Sequence, residues 1–226
     1  MVYYLIFIIP ALLISLYAQF NIKSTYKKYS QIRSSRGTTG AEAAVTLLQR
    51  NGLGGKVRIN PIAGDLTDNY DPRDNSLNLS QTVHSNTSIA AIGVAAHEVG
   101  HAIQHNEGYT PLQLRASIVP VANFASSASF PILLVGFLLN SMNLVLVGIL
   151  LFSAVVVFHL VTLPVEFNAS QRAVVQLSQA GLVSNDEVPM VKKVLGAAAM
   201  TYLAATLTAI ANLLYYVMIF MSGRDD

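Results

Sequence analysis

Leu144-Val145-Leu146-Val147-Gly148-Ile149-Leu150-Leu151-Phe152-Ser153-Ala154-Val155-Val156-Val157-Phe158-His159-Leu160-Val161-Thr162-Leu163 contains no Lys, Arg, Asp or Glu, and it runs directly into Pro164-Val165-Glu166. At about 1.5 Å of rise per residue a helix of this length spans about 30 Å, the thickness of the hydrocarbon core of a bilayer. Tyr3 to Phe20, Ile118 to Leu139 and Ala197 to Met221 have the same character. Only 12% of the 226 residues are charged, against about 25% in a typical soluble domain, so too few charges remain to coat a globule of this size. A wholly soluble enzyme and a disordered chain are both excluded. The fold class expected is mainly α and integral to the membrane, with four transmembrane helices and an α+β insert that carries a small β-hairpin.

The first apolar stretch lacks a basic segment before it and a small-residue cleavage site after it, so it reads as a retained anchor rather than a secretory signal. Lys23, Lys27, Lys28, Arg33 and Arg36 follow it closely, and the positive-inside rule puts them in the cytoplasm. Asn140 to Asn143 is too short to do more than turn, so spans two and three form a helical hairpin returning to the cytoplasmic side, where Arg172, Lys192 and Lys193 fit. Ser222 to Asp226 is then a short external tail. The expected division is a transmembrane anchor over 1–21, a cytoplasmic region over 22–116, a transmembrane hairpin over 117–163, a cytoplasmic segment over 164–196, and a transmembrane helix with its tail over 197–226. A formal net charge of +2 gives no footprint for nucleic acid. The partners implied are the lipid bilayer and a substrate.

Within the insert, Thr39-Gly40-Ala41-Glu42 reads as a capping box that opens a helix ending near Gly52. Lys56 to Asn60 and Ser76 to Ser80 alternate polar and apolar residues, and the Asp/Asn/Pro-rich stretch Asp65 to Asn75 reads as the turn of a hairpin between them. Thr87 or Ser88 then starts a helix that should stop at Gly108.

That helix contains His97-Glu98-Val99-Gly100-His101, an H-E-x-x-H pattern. Histidines four apart lie one turn from each other on one face, so both imidazoles can reach a single ion at about 2.0 to 2.1 Å, while Glu98 can reach a water beside it as general base. With no cysteine in the chain, any further ligand must offer nitrogen or oxygen, and a catalytic zinc usually takes three protein ligands. His105 lies eight residues beyond His97, about 12 Å along the axis, too far to share the ion; it reads as a packed or supporting histidine. Asp186 and Glu187 belong to a helix start, with Ser184-x-x-Glu187 as its capping box. Glu166 closes the third span, where a carboxylate is costly unless it meets water, a partner or a cation, and the returning hairpin puts it on the side of the His97 helix. It is the expected third ligand. His159, inside the span, reads as a neutral imidazole bonded to a neighbouring helix. Arg172 is either a flanking positive charge or a holder of the developing oxyanion, for which Tyr109 is a second candidate.

Asp71-Pro72-Arg73, Ala95 to His105, Val119-Pro120-Val121-Ala122-Asn123 and Leu163-Pro164-Val165-Glu166-Phe167 followed by Ala169-Ser170 resemble the YugP-type membrane zinc metallopeptidases of bacteria, over nearly the whole chain. The resemblance implies a zincin-like insert and a gluzincin-type protease in the bacterial cell membrane. It implies Zn2+ on His97, His101 and Glu166, Glu98 as catalytic acid and base, and a peptide or membrane protein as substrate. Such proteins commonly carry Asp and Arg where this chain has Asn168 and Gln171, a departure that bears on how the ligands are supported. Two other readings stay open: a hydrolase of non-peptide amides or esters, and a zinc-binding membrane scaffold.

Overall fold

The computed structural model describes residues 3–222; Met1, Val2 and, apart from Ser222, the expected external tail lie outside the described residues. A short π-helical turn, Tyr4–Ile8, leads into α1 (Ile9–Tyr29), followed by α2 (Gly40–Arg50), β1 (Arg58–Ile62), β2 (Asn69–Asp71), β3 (Ser76–Ser80), α3 (Gln81–His84), α4 (Ile89–Asn106), α5 (Thr110–Leu138), α6 (Met142–Gln179) and α7 (Val188–Ser222). The protein is mainly α. Among the described residues four helices are long and apolar enough to cross a membrane: Tyr4–Tyr29, Thr110–Leu138, Met142–Gln179 and Val188–Ser222. Each covers one of the apolar stretches to within a residue and runs on past it at one end or both. Pro164 does not end α6, which continues to Gln179.

The chain divides into two compact units. One comprises Met1–Gln19, Gln113–Pro164 and Thr201–Asp226. Its helices α5 and α6 reverse through Leu139 to Ser141, with Asn140 at a φ of 49°, a left-handed conformation that Asn tolerates better than most residues. Glycines let the two helices close: a Cβ at Gly136 would lie 2.8 Å from the Val145 nitrogen, and one at Gly148 2.6 Å from Leu133 Cγ. Leu133, Val145 and Ile149 are buried there. Ser15 and Thr208 hydroxyls meet at 2.9 Å, linking α1 to α7, and the half-buried His159 ring packs edge-on to Phe158. Phe124, Phe130, Leu138 and Leu150 are exposed, as lipid-facing residues should be.

The other unit comprises Phe20–Leu112 and Val165–Met200. Its core gathers Leu47 and Leu48 of α2, Leu77 and Leu79 of β3, Ile89, Ile92 and Val99 of α4, Leu177 of α6, and Val191 and Leu195 of α7. The start of α2 has the expected reciprocal cap: Thr39 Oγ1 accepts from the Glu42 N–H and Glu42 Oε2 accepts from the Thr39 N–H, at 3.2 and 2.8 Å. Ser88 caps α4 by accepting from the Ala91 N–H at 3.2 Å. Gly108, at a φ of 65°, follows its end. At the start of α7, Glu187 Oε2 accepts from the Ser184 N–H at 2.8 Å, and the same carboxylate accepts from the N–H and hydroxyl of Ser35 at 2.6 and 2.9 Å. The acid thus joins a helix start to a distant loop.

The sheet corrects one expectation. Its order is β1-β3-β2, and β1 pairs with β3 in parallel, with Ile59 opposite Leu77. The antiparallel partner of β3 is β2, so the small hairpin joins Asn69–Asp71 to Ser76–Ser80, and β1 is a third strand rather than one of its arms. The Asp65 to Asn75 stretch is more than a turn. A parallel pair needs a crossover, and this stretch supplies one while adding a strand of its own; the tight reversal is confined to Pro72 to Asn75, with Asn75 at a φ of 53°. Asparagines tie the three strands: Asn60 donates to Asn78 Oδ1 and Asn78 to Asn69 Oδ1, at 3.1 and 3.0 Å. On β3, Leu77 and Leu79 are fully buried.

Gly100 of α4 meets α6 most closely. A Cβ there would lie 2.7 Å from the Ala169 carbonyl oxygen, so Gly100→Ala forces backbone apart and should cost about 1 to 3 kcal/mol. At Gly196 of α7 a Cβ would meet nothing within 4 Å, and Gly196→Ala should stabilise by about 0.5 to 1 kcal/mol. Equilibrium unfolding of the detergent-solubilised chain should therefore give opposite signs for the two variants. Glu187 tests the electrostatics. Burial works against its charge, but the bonds from Ser184 and Ser35 prevail and hold its pKa below the ordinary value. A depressed folded pKa stabilises above the unfolded value of about 4.3 and loses that contribution as pH falls through the folded value. Wild type should thus exceed Glu187→Gln in stability at neutral pH, with the gap closing below about pH 4; a gap that does not depend on pH would contradict this account.

Candidate metal centre

His97 and His101 project from successive turns of α4 toward α6, where Glu166 is 2% exposed. One carboxylate oxygen of Glu166 lies 3.2 Å from His97 Nε2 and 3.5 Å from His101 Nε2. The two rings stand edge to face with centroids 4.8 Å apart. One ligand atom from each of the three residues falls within 4.8 Å of the others. Ligand atoms about 2.0 to 2.1 Å from a tetrahedral ion are about 3.3 to 3.4 Å from one another, and the contacts at 3.2 and 3.5 Å bracket that spacing. Two imidazole nitrogens and a carboxylate oxygen are also a donor set that suits zinc. The residues fit a divalent ion.

The outward nitrogens are occupied as metal-ligating histidines require. His97 Nδ1 lies 3.1 Å from Ser170 Oγ, and His101 Nδ1 lies 3.0 Å from Gln104 Oε1. Burial opposes charge on His101, but the bond to Glu166 and the charge of Glu98 outweigh it and raise its pKa. A cation at Nε2 would compete with that proton. Glu98 is buried beside the rings, and its carboxylate makes no hydrogen bond among the described residues. Burial raises its pKa, against the charges of His97 and His101, which suits a group that must take a proton and give it back.

The remaining candidates are distributed around this centre. Asn168 Oδ1 accepts from Gln104 Nε2 at 2.9 Å and from Arg172 Nε at 2.7 Å. Arg172 also pairs with Glu107 at 2.8 Å, and its guanidinium lies 5.9 Å from the centre of the Tyr109 ring. Glu107, at the end of α4, is thus a partner of Arg172. His105 is not gathered with the three. Its Nδ1 lies 2.8 Å from the Tyr70 hydroxyl, whose pKa is pushed up to about 12 by burial and by Asp71 and Asp74, and it helps line a cavity of about 410 Å³ with Leu53, Val57 and Ala102.

Sequence reasoning did not single out Gln104 or Ser170. Both are uncharged and carry no signal of their own; the structure shows that Gln104 meets His101 from the next turn of the same helix and that Ser170 reaches His97 from α6.

The comparisons agree with this geometry. Residues 4–221 match the model of a family described as "Putative neutral zinc metallopeptidase". The chain is 51% identical over 218 residues, covering 96% of each protein, to a Bacillus subtilis (strain 168) protein named "Putative membrane protease YugP". No solved structure matches. Together with the four apolar helices, the relative makes this a multi-pass membrane protein. Matched over residues 4–221 and holding a group of side chains able to bind a metal, the chain belongs to the neutral zinc metallopeptidase family.

Proposed function

We propose that the chain is a membrane zinc endopeptidase that hydrolyses peptide bonds of a peptide or membrane-protein substrate, with Zn2+ held by His97, His101 and Glu166. The observation that carries this reading is the convergence of the two Nε2 atoms on one Glu166 oxygen, at 3.2 and 3.5 Å. Zinc, when bound, supplies Lewis acidity toward water and toward the scissile carbonyl. Glu98 is the acid and base: its buried carboxylate takes a proton from the attacking water and returns it to the leaving amine. No covalent enzyme intermediate is required, and the chain has no cysteine to form a thioester.

The substrate is an extended segment that pairs through its main chain with an edge of the small sheet. The edge strand β2 is the better candidate because it packs on α4. Arg172 serves the centre through Asn168, while its Nη1 is engaged by Glu107. Lys23, Lys27, Lys28, Arg33 and Arg36 support a cytoplasmic active site under the positive-inside rule, in the cell membrane. In this reading 22–116 and 164–196 are the cytoplasmic segments, and 1–21, 117–163 and 197–226 carry the membrane crossings.

Glu98→Gln should retain zinc and lose at least about 100-fold in turnover; membrane proteomics of cells carrying the variant should show the disappearance of fragments present in wild type. Full cleavage by that variant would end the mechanism. Glu166→Ala should lower the zinc content of purified protein, measured by elemental analysis, and unchanged content would remove Glu166 from the ligand set.

A further inference from the structure

The Gln104 carboxamide is fully buried, and every polar hydrogen on it is committed. Its Nε2 carries two hydrogens and has two acceptors, the Val165 carbonyl and Asn168 Oδ1, each at 2.9 Å. The amide can therefore be oriented in only one way, because the flipped form would set its oxygen against two oxygens and its NH2 against the imidazole. Oε1 is left facing His101 Nδ1 at 3.0 Å. An acceptor in that position requires a hydrogen on Nδ1, and in a neutral imidazole that leaves the lone pair on Nε2. This is the nitrogen that faces Glu166 at 3.5 Å.

The same amide touches both elements of the centre. His101 is one turn back on α4, while Val165 and Asn168 lie on either side of Glu166 on α6. The chain of bonds extends outward: Asn168 Oδ1 also accepts from Arg172 Nε at 2.7 Å, and Arg172 is held by Glu107 at 2.8 Å at the half-exposed end of α4. Polarity is consistent throughout, with Asn168 Oδ1 receiving two donors and Gln104 Oε1 receiving one.

We propose that Gln104 is a positioning residue of the metal centre: it fixes His101 in the Nδ1–H tautomer with Nε2 aimed at Glu166, and Asn168 and Arg172 hold it in that role. The inference rests on the ligand set proposed above. It predicts that the oxygen at position 168 matters more than the charge there.

The test uses the full chain in detergent, with zinc affinity read by competition against a chromophoric chelator and the His101 ring read by 15N NMR of the histidine-labelled, zinc-loaded protein. Gln104→Met should weaken zinc by about 10- to 100-fold and remove the hydrogen-bonded Nδ1–H signal of His101. Asn168→Asp keeps an oxygen for both donors and should stay within about 3-fold of wild type, whereas Asn168→Leu should weaken zinc in the same direction as Gln104→Met. Wild-type affinity in Gln104→Met overturns the proposal, as does equal behaviour of Asn168→Asp and Asn168→Leu; this pair decides the matter if Gln104→Met fails to fold. A wild-type chain that binds no zinc, or a His97→Ala variant that binds it as well as wild type, would sink the ligand assignment itself and this inference with it.

Discussion

The centre depends on a contact in which one partner has no side chain. Gly100 lets the backbone of α4 approach the Ala169 carbonyl of α6 so closely that a methyl group would stand 2.7 Å from its oxygen. Ala169 is itself fully buried and as small as a chiral residue can be. Glu166 lies one turn before Ala169, and His97 and His101 flank Gly100 in sequence. A carboxylate side chain is short, and a ligand set tolerates errors of only a few tenths of an ångström, so the distance between the two helix axes controls whether the three donor atoms can meet. Within the H-E-x-x-H pattern, the second unspecified position is therefore a packing residue in this protein. Its smallness is as much a part of the centre as the imidazoles.

A short interhelical distance brings donors together but does not aim them. Each imidazole has two nitrogens, and a ring that presents N–H toward the centre is no ligand. Ser170 and Gln104 engage the outer nitrogens from opposite helices: Ser170 of α6 orients the His97 ring, its hydroxyl able to donate or accept, while Gln104 within α4 offers His101 an acceptor only. Glu98 differs in having no hydrogen bond among the described residues, which costs stability for a buried carboxylate but leaves its oxygens available. Within one compact unit of mixed helix and sheet, some polar groups are fully satisfied so that others need not be. The separation suits the proton-transfer role proposed for Glu98.

Much of this was readable from local signals. Charge-free stretches reveal membrane helices because burial of an ion in hydrocarbon is too costly to leave ambiguous, and the caps at Thr39 and Ser88 are short-range hydrogen bonds whose donors and acceptors lie within three residues. Glu166 was legible for a related reason: a carboxylate at the end of an apolar helix needs a partner. The strand pairing was not, because alternation in Lys56 to Asn60 and Ser76 to Ser80 reports which faces are buried and is silent on strand direction. The polar stretch between them was long enough to hold either a loose turn or a crossover with its own strand, and composition does not separate these. Gln104 was missed because an uncharged amide in a helix has no signature until the atoms around it are known. Its importance arises from four groups on two helices that sequence separation keeps about sixty residues apart.

The pair Asn168 and Gln171 illustrates how a departure from a family pattern can leave the physics intact. The resemblance drawn from the sequence implies Asp and Arg at these positions, and against that pattern the pair removes one negative and one positive charge together and leaves the local sum unchanged. What Asn168 must supply is an oxygen that accepts from Gln104 and from Arg172, and its Oδ1 does so at 2.9 and 2.7 Å. A carboxylate would accept the same two bonds more strongly, but it would also place another negative charge two residues from Glu166, in a region where Glu98 already resists ionisation through burial. Arg172 has its own counter-charge in Glu107, so it does not need an acid at position 168 to balance it. The neutral amide therefore exchanges bond strength for a smaller charge imbalance beside the buried acids, while the direction of every hydrogen bond to the centre is preserved.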